Sequence, residues 1–464
     1  MKPIALSLLL IVAAQLPATV ADHLDQILRE VEAIHLLLGQ GGRLPPFLRR
    51  PQAEQVFVHV PSGGNLQAAL TAATANTVVT LDPAAVYEGP VTCTAGTLQT
   101  QGFTPPLVVG TTPLAEIDPN NQQGLFISGA CTVRGIEIVG NANDLIFLNP
   151  TANAVIEYTY LHGGGSTKNG ITLKGTAIVR HNVIRNIYRS GQESHGIVSW
   201  EGGPYVITDN EISAASINVL FGGEDPSSEA VHPHDLTFQR NYLWKDTAWR
   251  GAGYAAKNLF ELKLMKTATI SDNTLEYSWV DGQDGWGLVV SVRNQSGTAP
   301  WSIIRDVVIE DNIFRHMAGG ISWLGQDDRV GFPSERTLNV TIRNNVFEDI
   351  SSANWGTNGK LFQINRGSEN LTITGNQMRG GNVHSFLLFA GSLTHDSVNF
   401  TYTNNTVTEG RWGIIDGDNG TGFGVNALNS YTTGGYTWSG NTVERNPASF
   451  QPQTYPAGTT IVTP

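Results

Sequence analysis

Nine asparagines recur at the same place in a repeated phrase, and this repeat restricts the architectures open to the chain. The phrases include AIVRHNVI, YVITDNEI and LTFQRNYL, in which the Asn separates two short segments of alternating apolar and polar residues. The asparagines are Asn182, Asn210, Asn241, Asn273, Asn312, Asn345, Asn376, Asn405 and Asn441. Their separations run from 28 to 39 residues. Such a period is typical of stacked units that bury their apolar faces only against their neighbours.

The alternation within each unit predicts strands rather than helices. Asn tolerates the left-handed backbone of a sharp bend, and Asn side chains stacked strand over strand can hydrogen-bond as a ladder. The pattern therefore predicts an all-β chain, a right-handed parallel β-helix. Two imperfect units, TVRGIEIV and AVIEYTYL, place Ile136 and Thr159 where Asn stands later. This makes about eleven coils over residues 125–445.

The composition agrees with a solenoid rich in turns. The chain has 464 residues, of which 51 are Gly and only 15% are charged, which suits a mostly β protein. A formal net charge of −12 argues against nucleic acid as a partner. It leaves open a polyanionic ligand that is held by a local basic patch.

Residues 1–21 are predicted to be a signal peptide. A positively charged start, an apolar run over Ile4–Ala14 and the small residues Thr19-Val20-Ala21 are the expected parts. The run is short for a membrane span, so we expect a secreted chain, extracellular or periplasmic, without a membrane partner after cleavage. In that compartment Cys93 and Cys131 either pair or remain two buried thiols.

Residues 22–54 are predicted to form a short heptad helix and a linker. The helix has apolar residues at heptad spacing, namely Leu24, Ile27, Val31, Ile34 and Leu38. Two interpretations stay open: a homo-oligomer held together through residues 24–38, or a helix that packs its stripe on its own solenoid.

The solenoid is expected over residues 55–448, with a cap at its start and a Pro-rich tail over 449–464. Leu66, Ala69, Leu70 and Ala73 fall on one face of a short helix between two strands. An open solenoid end exposes unpaired backbone and apolar core, so a helix that covers it is expected.

The opening run FVHVPSGGNLQAALTAATANTVVTLDPAAVYEG resembles the first turn of secreted β-helix proteins of the pectate-lyase-like superfamily. The runs NVLFGGED, KNLFELK and RNQSGTAPW are similar to a group of secreted bacterial β-helix proteins. The resemblance implies three strands per coil, of which the first forms the floor of a binding groove with long loops as walls. Here the floor strands run from HGIVSW at 195–200 to WGIIDG at 412–417.

A charged cluster is predicted on this floor. Strand side chains alternate, so inward Phe260 and Leu262 leave Lys257, Glu261 and Lys263 outward, with Arg293 outward one coil later. β-Elimination in a uronate polysaccharide needs cations that neutralise the carboxylate and a base for the proton. We expect Lys263 or Lys257 as the base, Arg293 as the carboxylate clamp and Glu261 as the group that tunes the lysines. The alternative is an exposed ladder of ion pairs.

The long loops between residues 195 and 330 supply the expected walls. The predicted substrate-binding residues are Trp200, Glu201, Trp249, Trp286, Gln363 and Arg366. Sugar faces stack on aromatic rings, although the tryptophans can equally seal the loops against the solenoid. Glu224 and Asp225 are candidate ligands for Ca²⁺, the one cofactor considered.

Two other functions remain open beside a polysaccharide lyase. Glycoside hydrolysis needs two carboxylates, for which Asp281 with Asp284, or Asp327 with Asp328, are the candidates. The GQDDR segment resembles the paired aspartates of polygalacturonases, but no Gly-His-Gly or Arg-Ile-Lys follows it. The third function is a non-catalytic glycan-binding or structural surface protein. The concentration of titratable and aromatic residues over 195–330 favours the enzyme, with polysaccharide as its partner.

Overall fold

The computed structural model describes residues 54–356, 359–391, 396–418, 420, 422–446 and 453–463. The predicted signal peptide, the predicted heptad helix and the first residues of the Pro-rich tail lie outside this range. Within it, no helix combines the length and the hydropathy that a membrane crossing requires.

The chain winds into a right-handed parallel β-helix, as predicted. Each coil contributes one strand to each of three stacks, and the neighbouring strands within a stack are parallel. Stack A holds the strands that precede the repeated Asn, stack B those that follow it, and stack C the third strand. The strands of all eleven predicted coils are present, and further strands extend the stacks toward both ends of the described chain.

Stack A contains Val56–Val60, Thr77–Leu81, Asn153–Glu157, Thr176–Arg180, Tyr205–Thr208, His234–Gln239, Met265–Ser271, Ile304–Glu310, Leu338–Arg343, Glu369–Thr374, Ser397–Thr403 and Thr432–Ser439. Stack B contains Val86–Glu88, Ala115–Asp118, Val183–Ile187, Glu211–Ala214, Tyr242–Trp244, Thr274–Ser278, Ile313–Met317, Val346–Ile350, Gln377–Arg379, Thr406–Thr408, Thr442–Glu444 and Thr460–Val462. Stack C contains His195–Ser199, Ile217–Phe221, Phe260–Leu262, Trp286–Ser291, Gly319–Leu324, Lys360–Asn365, Ser385–Ala390 and Ile414–Asp416. Four longer strands, Val91–Thr100, Gln123–Arg134, Ile136–Leu148 and Tyr160–Leu173, each pass through two stacks.

The repeated asparagines form the predicted ladder inside the turn between stacks A and B. Asn182 donates from its backbone N and from Nδ2 to Oδ1 of Asn210, at 3.0 and 2.9 Å. The same pair of bonds recurs coil by coil up to Asn405 and Asn441. Thr159, which precedes the first Asn, donates its own N–H and Oγ1–H to Asn182. Because these side chains are buried, the ladder satisfies polar groups that would otherwise be costly.

The left-handed residue of each turn is not the Asn, which corrects the prediction. The residue immediately before it takes the positive φ, at His181, Asp209, Arg240, Asp272, Asp311, Asn344, Gly375, Asn404 and Gly440. The ladder Asn keeps an ordinary backbone and points inward, while the bend is made by its exposed or half-buried neighbour. That position accepts varied residues because its side chain is not confined by the core.

Short helices close the ends and edges of the solenoid. The predicted cap helix is Leu66–Ala72, with Leu66 and Leu70 buried in the core and Asn65 Oδ1 accepting from Ala68 N. The other α-helices are Ser352–Trp355 and Val425–Tyr431, and short 3₁₀ turns span Glu229–Val231 and Thr247–Trp249. The question of the two cysteines is also answered, since Cys93 and Cys131 form a disulfide.

Candidate functional site

A groove lies on the outer face of stack C, where the resemblance placed it. It encloses about 660 Å³ and is lined by residues between Asn143 and Glu224. One row of its floor runs through Phe147, Thr172, Val198 and Leu220, which are register partners on successive coils. The next partner in this row is Glu261, so the row passes from apolar to charged toward the later coils.

A second row of the groove is polar. Asp144, Asn169 and His195 are register partners on three successive coils. Asn169 Nδ2 donates to Asp144 Oδ1 at 2.9 Å, and His195 Nδ1 lies 2.8 Å from Asn169 Oδ1. Thr172 Oγ1 also donates to Asp144. The row is therefore a continuous hydrogen-bonded chain that ends on an imidazole ring.

His195 is nearly fully buried, with 6% of its surface exposed. Its Nε2 has no hydrogen-bond partner within the described chain, and the nearest carboxylate oxygen, Glu193 Oε2, lies 3.6 Å away. Burial lowers the pKa of His195 below its ordinary value, against the opposing charges of Glu193 and Glu261. The ring is thus held largely neutral near pH 7.

Glu193 links this histidine to one of the predicted lysines. Its Oε1 forms an ion pair with Lys257 Nζ. The neighbouring His195 ring and Lys257 lower the pKa of Glu193 far below its usual range, although burial opposes them. Glu193 therefore remains a carboxylate across the neutral range, and the ion pair holds Lys257 against it.

The second predicted lysine is paired in the same way. Lys263 Nζ lies 3.2 Å from Glu261 Oε2, and Asn258 Nδ2 donates to Glu261 Oε1 at 2.6 Å. Glu261 is buried, with 1% of its surface exposed. The expected proximity of Glu261 to Lys263 is present, but both carboxylate oxygens are occupied and Lys263 is ion-paired.

A buried ammonium lies beneath this cluster. Lys245 is fully buried, and its Nζ contacts the carbonyl oxygens of Ala214, Ala215 and Ser216 and the Asn218 Oδ1, at 2.7–3.0 Å. Burial lowers the pKa of Lys245, and the charge of Glu261 opposes that change. Lys245 closes the turn between stacks B and C, and no sequence pattern distinguished it from a surface lysine.

Trp200 lines the groove, as expected. It packs beside Val198 and Leu220, and Lys174 Nζ lies 4.3 Å from the centre of its ring. Lys174 is in turn paired with the buried Glu201 at 3.1 Å. Glu201 is therefore an anchor for the lysine behind the tryptophan and not an exposed substrate contact, a correction to its expected role.

Trp249 and Trp286 are not stacking platforms, contrary to expectation. Their exposed fractions are 6% and 5%. Trp249 packs with Trp279 and Ala256 beneath a loop, and Gly319 lies directly against the Trp286 ring. A sugar needs an open aromatic face, and these two rings seal loops against the solenoid instead.

The loop between Phe221 and His234 forms one wall of the groove. Glu224 lines it, while Asp225 Oδ2 accepts from Ser296 N, Thr298 N and Thr298 Oγ1, at 2.7–3.0 Å. Asp225 thus joins this loop to the next one. That oxygen is fully engaged by protein donors, while Asp225 Oδ1 is buried without a hydrogen-bond partner in the described chain. No group of three His, Cys, Asp or Glu side chains suited to a metal occurs among the described residues.

Arg293 does not act as a free clamp. Its Nη1 is 3.0 Å from Asp327 Oδ1 and 2.5 Å from Asp328 Oδ1. Asp327 is fully buried as a side chain and also accepts from Arg329 and from the backbone of Asn294. Burial raises the pKa of Asp327, but these hydrogen bonds outweigh it and lower the pKa below its ordinary value.

The same contacts argue against the paired aspartates as glycosidase acids. A general acid needs a raised pKa, whereas Asp327 is saturated with donors and Asp328 is ion-paired. Asp281 and Asp284 are exposed on their loop.

Arg366 donates to the Asp327 carbonyl at 3.1 Å, and Gln363 accepts from Lys360 at 2.7 Å. Neither Arg366 nor Gln363 lines the groove of residues 143–224.

The sequence reasoning missed the polar row itself. Asp144, Asn169 and His195 are separated by 25 and 26 residues, which is one coil each. A search for polar residues at the coil period on the floor strands would have found them. The floor strands predicted from the resemblance begin at residue 195, so they do not include the two earlier coils that carry Asp144 and Asn169.

No protein-family model matches this chain, and no curated protein matches it. Among solved structures, it is similar to a pectate lyase, at 13% identity and a TM-score of 0.42, over 64% of this chain and 76% of that one. It is also similar to the catalytic unit of a GH87 alpha-1,3-glucanase from Streptomyces thermodiastaticus, at 15% identity and a TM-score of 0.45, over 84% and 69%. A third is the tailspike protein of an E. coli bacteriophage in complex with a pentasaccharide, at 13% identity and 0.42, over 88% and 72%. At these identities and TM-scores the likeness extends no further than the fold.

Proposed function

We propose that this chain binds an acidic, uronate-containing polysaccharide along stack C and cleaves it by β-elimination. One observation carries the proposal: the groove brings a buried histidine with an unpartnered ring nitrogen together with an exposed lysine and an aromatic ring. The lysine is Lys168, which is exposed and has no hydrogen bond or ion pair within the described chain. Together these groups can hold an anionic sugar and take a proton from it.

The roles of the lysines differ from those first predicted. Lys257 and Lys263 are each ion-paired to a carboxylate, which favours them as cations and not as bases. Lys168, which lines the groove and whose side chain has no ion pair within the described chain, offers the positive charge for a uronate carboxylate. Arg293 is compensated by two aspartates and has no part in this proposal.

We further propose that the chain acts outside the cytoplasm after export. The predicted signal peptide supports this location, and so does the disulfide between Cys93 and Cys131, because such bonds persist in oxidising compartments. No step of the proposed reaction is assigned to a metal, and the predicted use of Ca²⁺ by Glu224 and Asp225 is tested by the calcium and chelator arms of the assay.

The test is to incubate the mature protein with a panel of uronate polysaccharides and follow absorbance near 235 nm, with calcium and with a chelator. A rise shows the unsaturated product of elimination. New reducing ends without that rise contradict elimination and indicate hydrolysis. Binding without turnover indicates the glycan-binding function, and silence in all assays overturns the proposal.

Lys168→Gln provides a matched check on the substrate class. We expect KM for the polysaccharide to rise about tenfold, the effect of losing roughly one charge contact in a partly shielded site. Arg379→Gln, at an exposed position on stack B, is the control and should leave KM unchanged. Equal KM values for the two variants would contradict the assignment of Lys168 to the uronate carboxylate.

A further inference from the structure

We infer that His195 is the general base of this reaction, and that Asp144 and Asn169 are positioning residues that keep the lone pair on Nε2. The role of His195 as a general base rests on the proposed function, because β-elimination is the reaction in which it acts. The tautomer of the ring, by contrast, follows from the hydrogen bonds alone and can be tested without any substrate.

The orientation of the Asn169 amide is fixed by its neighbour. A carboxylate accepts hydrogen bonds and cannot donate. The Asn169 group 2.9 Å from Asp144 Oδ1 must therefore be the NH₂ group. This leaves Asn169 Oδ1 facing His195 Nδ1 at 2.8 Å. An amide oxygen only accepts, so Nδ1 carries the proton and, in the neutral ring, Nε2 carries the lone pair.

The surroundings of Nε2 suit a base. The atom is buried without a hydrogen-bond partner in the described chain. Burial and the charge of Lys168 lower the pKa of His195, while Glu193 and Glu261 raise it. The ring is therefore neutral before it reacts. Glu193 Oε2, 3.6 Å from Nε2, is placed to stabilise the imidazolium that forms afterwards, and Lys257 holds Glu193 in that position.

The step balances without a cofactor. Nε2 takes the proton from the carbon next to the uronate carboxylate, and the C–H electron pair forms a carbon–carbon double bond to the adjacent ring carbon. The bond from that carbon to the glycosidic oxygen breaks, and the leaving oxygen takes a proton from water. The imidazolium returns its proton to solvent. Lys168 lines the same groove as His195 and can neutralise the carboxylate, whose negative charge grows during proton removal.

The tautomer is measured by NMR of the protein labelled with ¹⁵N-histidine, near pH 7, in the wild type and in Asp144→Asn. The expected result is a neutral His195 ring protonated at Nδ1. In Asp144→Asn the amide of Asn169 is free to turn over, so a fraction of His195 should change to the Nε2-protonated form. A wild-type ring protonated at Nε2, or at both nitrogens, overturns the positioning roles of Asp144 and Asn169.

Kinetics test the base. His195→Gln should lower kcat for elimination at least a hundredfold with little change in the Kd for polysaccharide, and Asp144→Asn should lower kcat by a smaller factor. His162→Gln, on stack B and paired with Glu137, should retain full activity. If His195→Gln turns over normally while the wild type eliminates, His195 is not the base. If the wild type does not eliminate at all, the proposed function falls, and the NMR result still stands on its own.

Discussion

The buried side chain of His232 holds the wall of the groove, and we expect it to make that wall sensitive to acid. His232, with 1% of its surface exposed, donates from Nδ1 to the Pro233 carbonyl at 3.0 Å and accepts at Nε2 from Ile303 N at 3.3 Å. It thereby joins the loop after Phe221 to the segment before Ile304–Glu310, the stack A strand two coils later. Burial lowers its pKa to about 4, with a further contribution from Lys266.

The stability of the chain should therefore fall as the pH drops from about 6.5 toward 4. Between these pH values His232 is protonated in the unfolded chain and neutral in the folded one. The free energy of unfolding therefore falls by roughly 3 kcal/mol because of this group. The measurement is the thermal midpoint across this pH range for the wild type and His232→Gln. The variant should show a flatter dependence. His234→Gln, at a half-exposed ring beside it, is the control, and equal slopes for all three proteins would refute the role of His232.

At the scale of residues, the environment of a side chain could be predicted only where the repeat determines its neighbours. The asparagine ladder was predictable because the same residue recurs in the same phrase. The burial of Trp249 and Trp286 was not, since a loop tryptophan can face either solvent or the solenoid. Asp144 and His195 become partners only through the coil register, two coils apart.

At the scale of elements, the turns between stacks are the places where backbone approaches backbone. After the stack B strand Gln377–Arg379, the chain passes through Gly380 and Gly381, both at positive φ. A Cβ on Gly381 would lie 2.6 Å from the carbonyl oxygen of Ile350 one coil below, whereas a Cβ on Gly380 would meet nothing within 4 Å. Substitutions at these two glycines therefore distinguish the cost of a left-handed backbone, which both share, from the cost of a steric clash, which only Gly381 adds.

Gly381→Ala should be clearly more destabilising than Gly380→Ala. The latter carries only the left-handed backbone cost of roughly 1–2 kcal/mol. The former adds the displacement of a neighbouring backbone, which we place at about 3 kcal/mol in total. Denaturant unfolding followed by circular dichroism gives both values. Equal losses would mean that the turn moves freely away from Ile350.

The elements themselves were largely accessible from the sequence. The cap helix over Leu66–Ala72 and the Asn turns lie where the sequence pattern placed them, and the strands of stack C lie where the resemblance placed them. The long loops were not predictable, because their contacts, such as Asp225 with Thr298, join segments that no periodicity relates. The candidate site was therefore predicted less accurately than the fold, because most of its predicted walls lie in those loops.

At the scale of the whole molecule, each coil is stabilised mainly by the coils beside it. The disulfide between Cys93 and Cys131 closes a separation of 38 residues in the first coils. Its removal in the double variant Cys93→Ala, Cys131→Ala should cost roughly 3–4 kcal/mol, and the cost should be local. Hydrogen exchange should rise over residues 77–134 and stay unchanged over 304–343. A uniform rise along the chain would show instead that the solenoid unfolds as one cooperative unit.

The asparagine ladder has a direction, because each Asn from Asn182 to Asn405 donates to the Asn of the coil that follows it and every Asn accepts from the coil that precedes it. Each coil thus presents the same hydrogen-bond donors on one side and the same acceptor on the other. A duplicated coil inserted within the ladder would form both sets of hydrogen bonds, so no polar group of the ladder would lack a partner. Solenoids of this design can lengthen by copying a unit, whereas their first and last coils need ends of their own, as Thr159 supplies here at the beginning of the ladder.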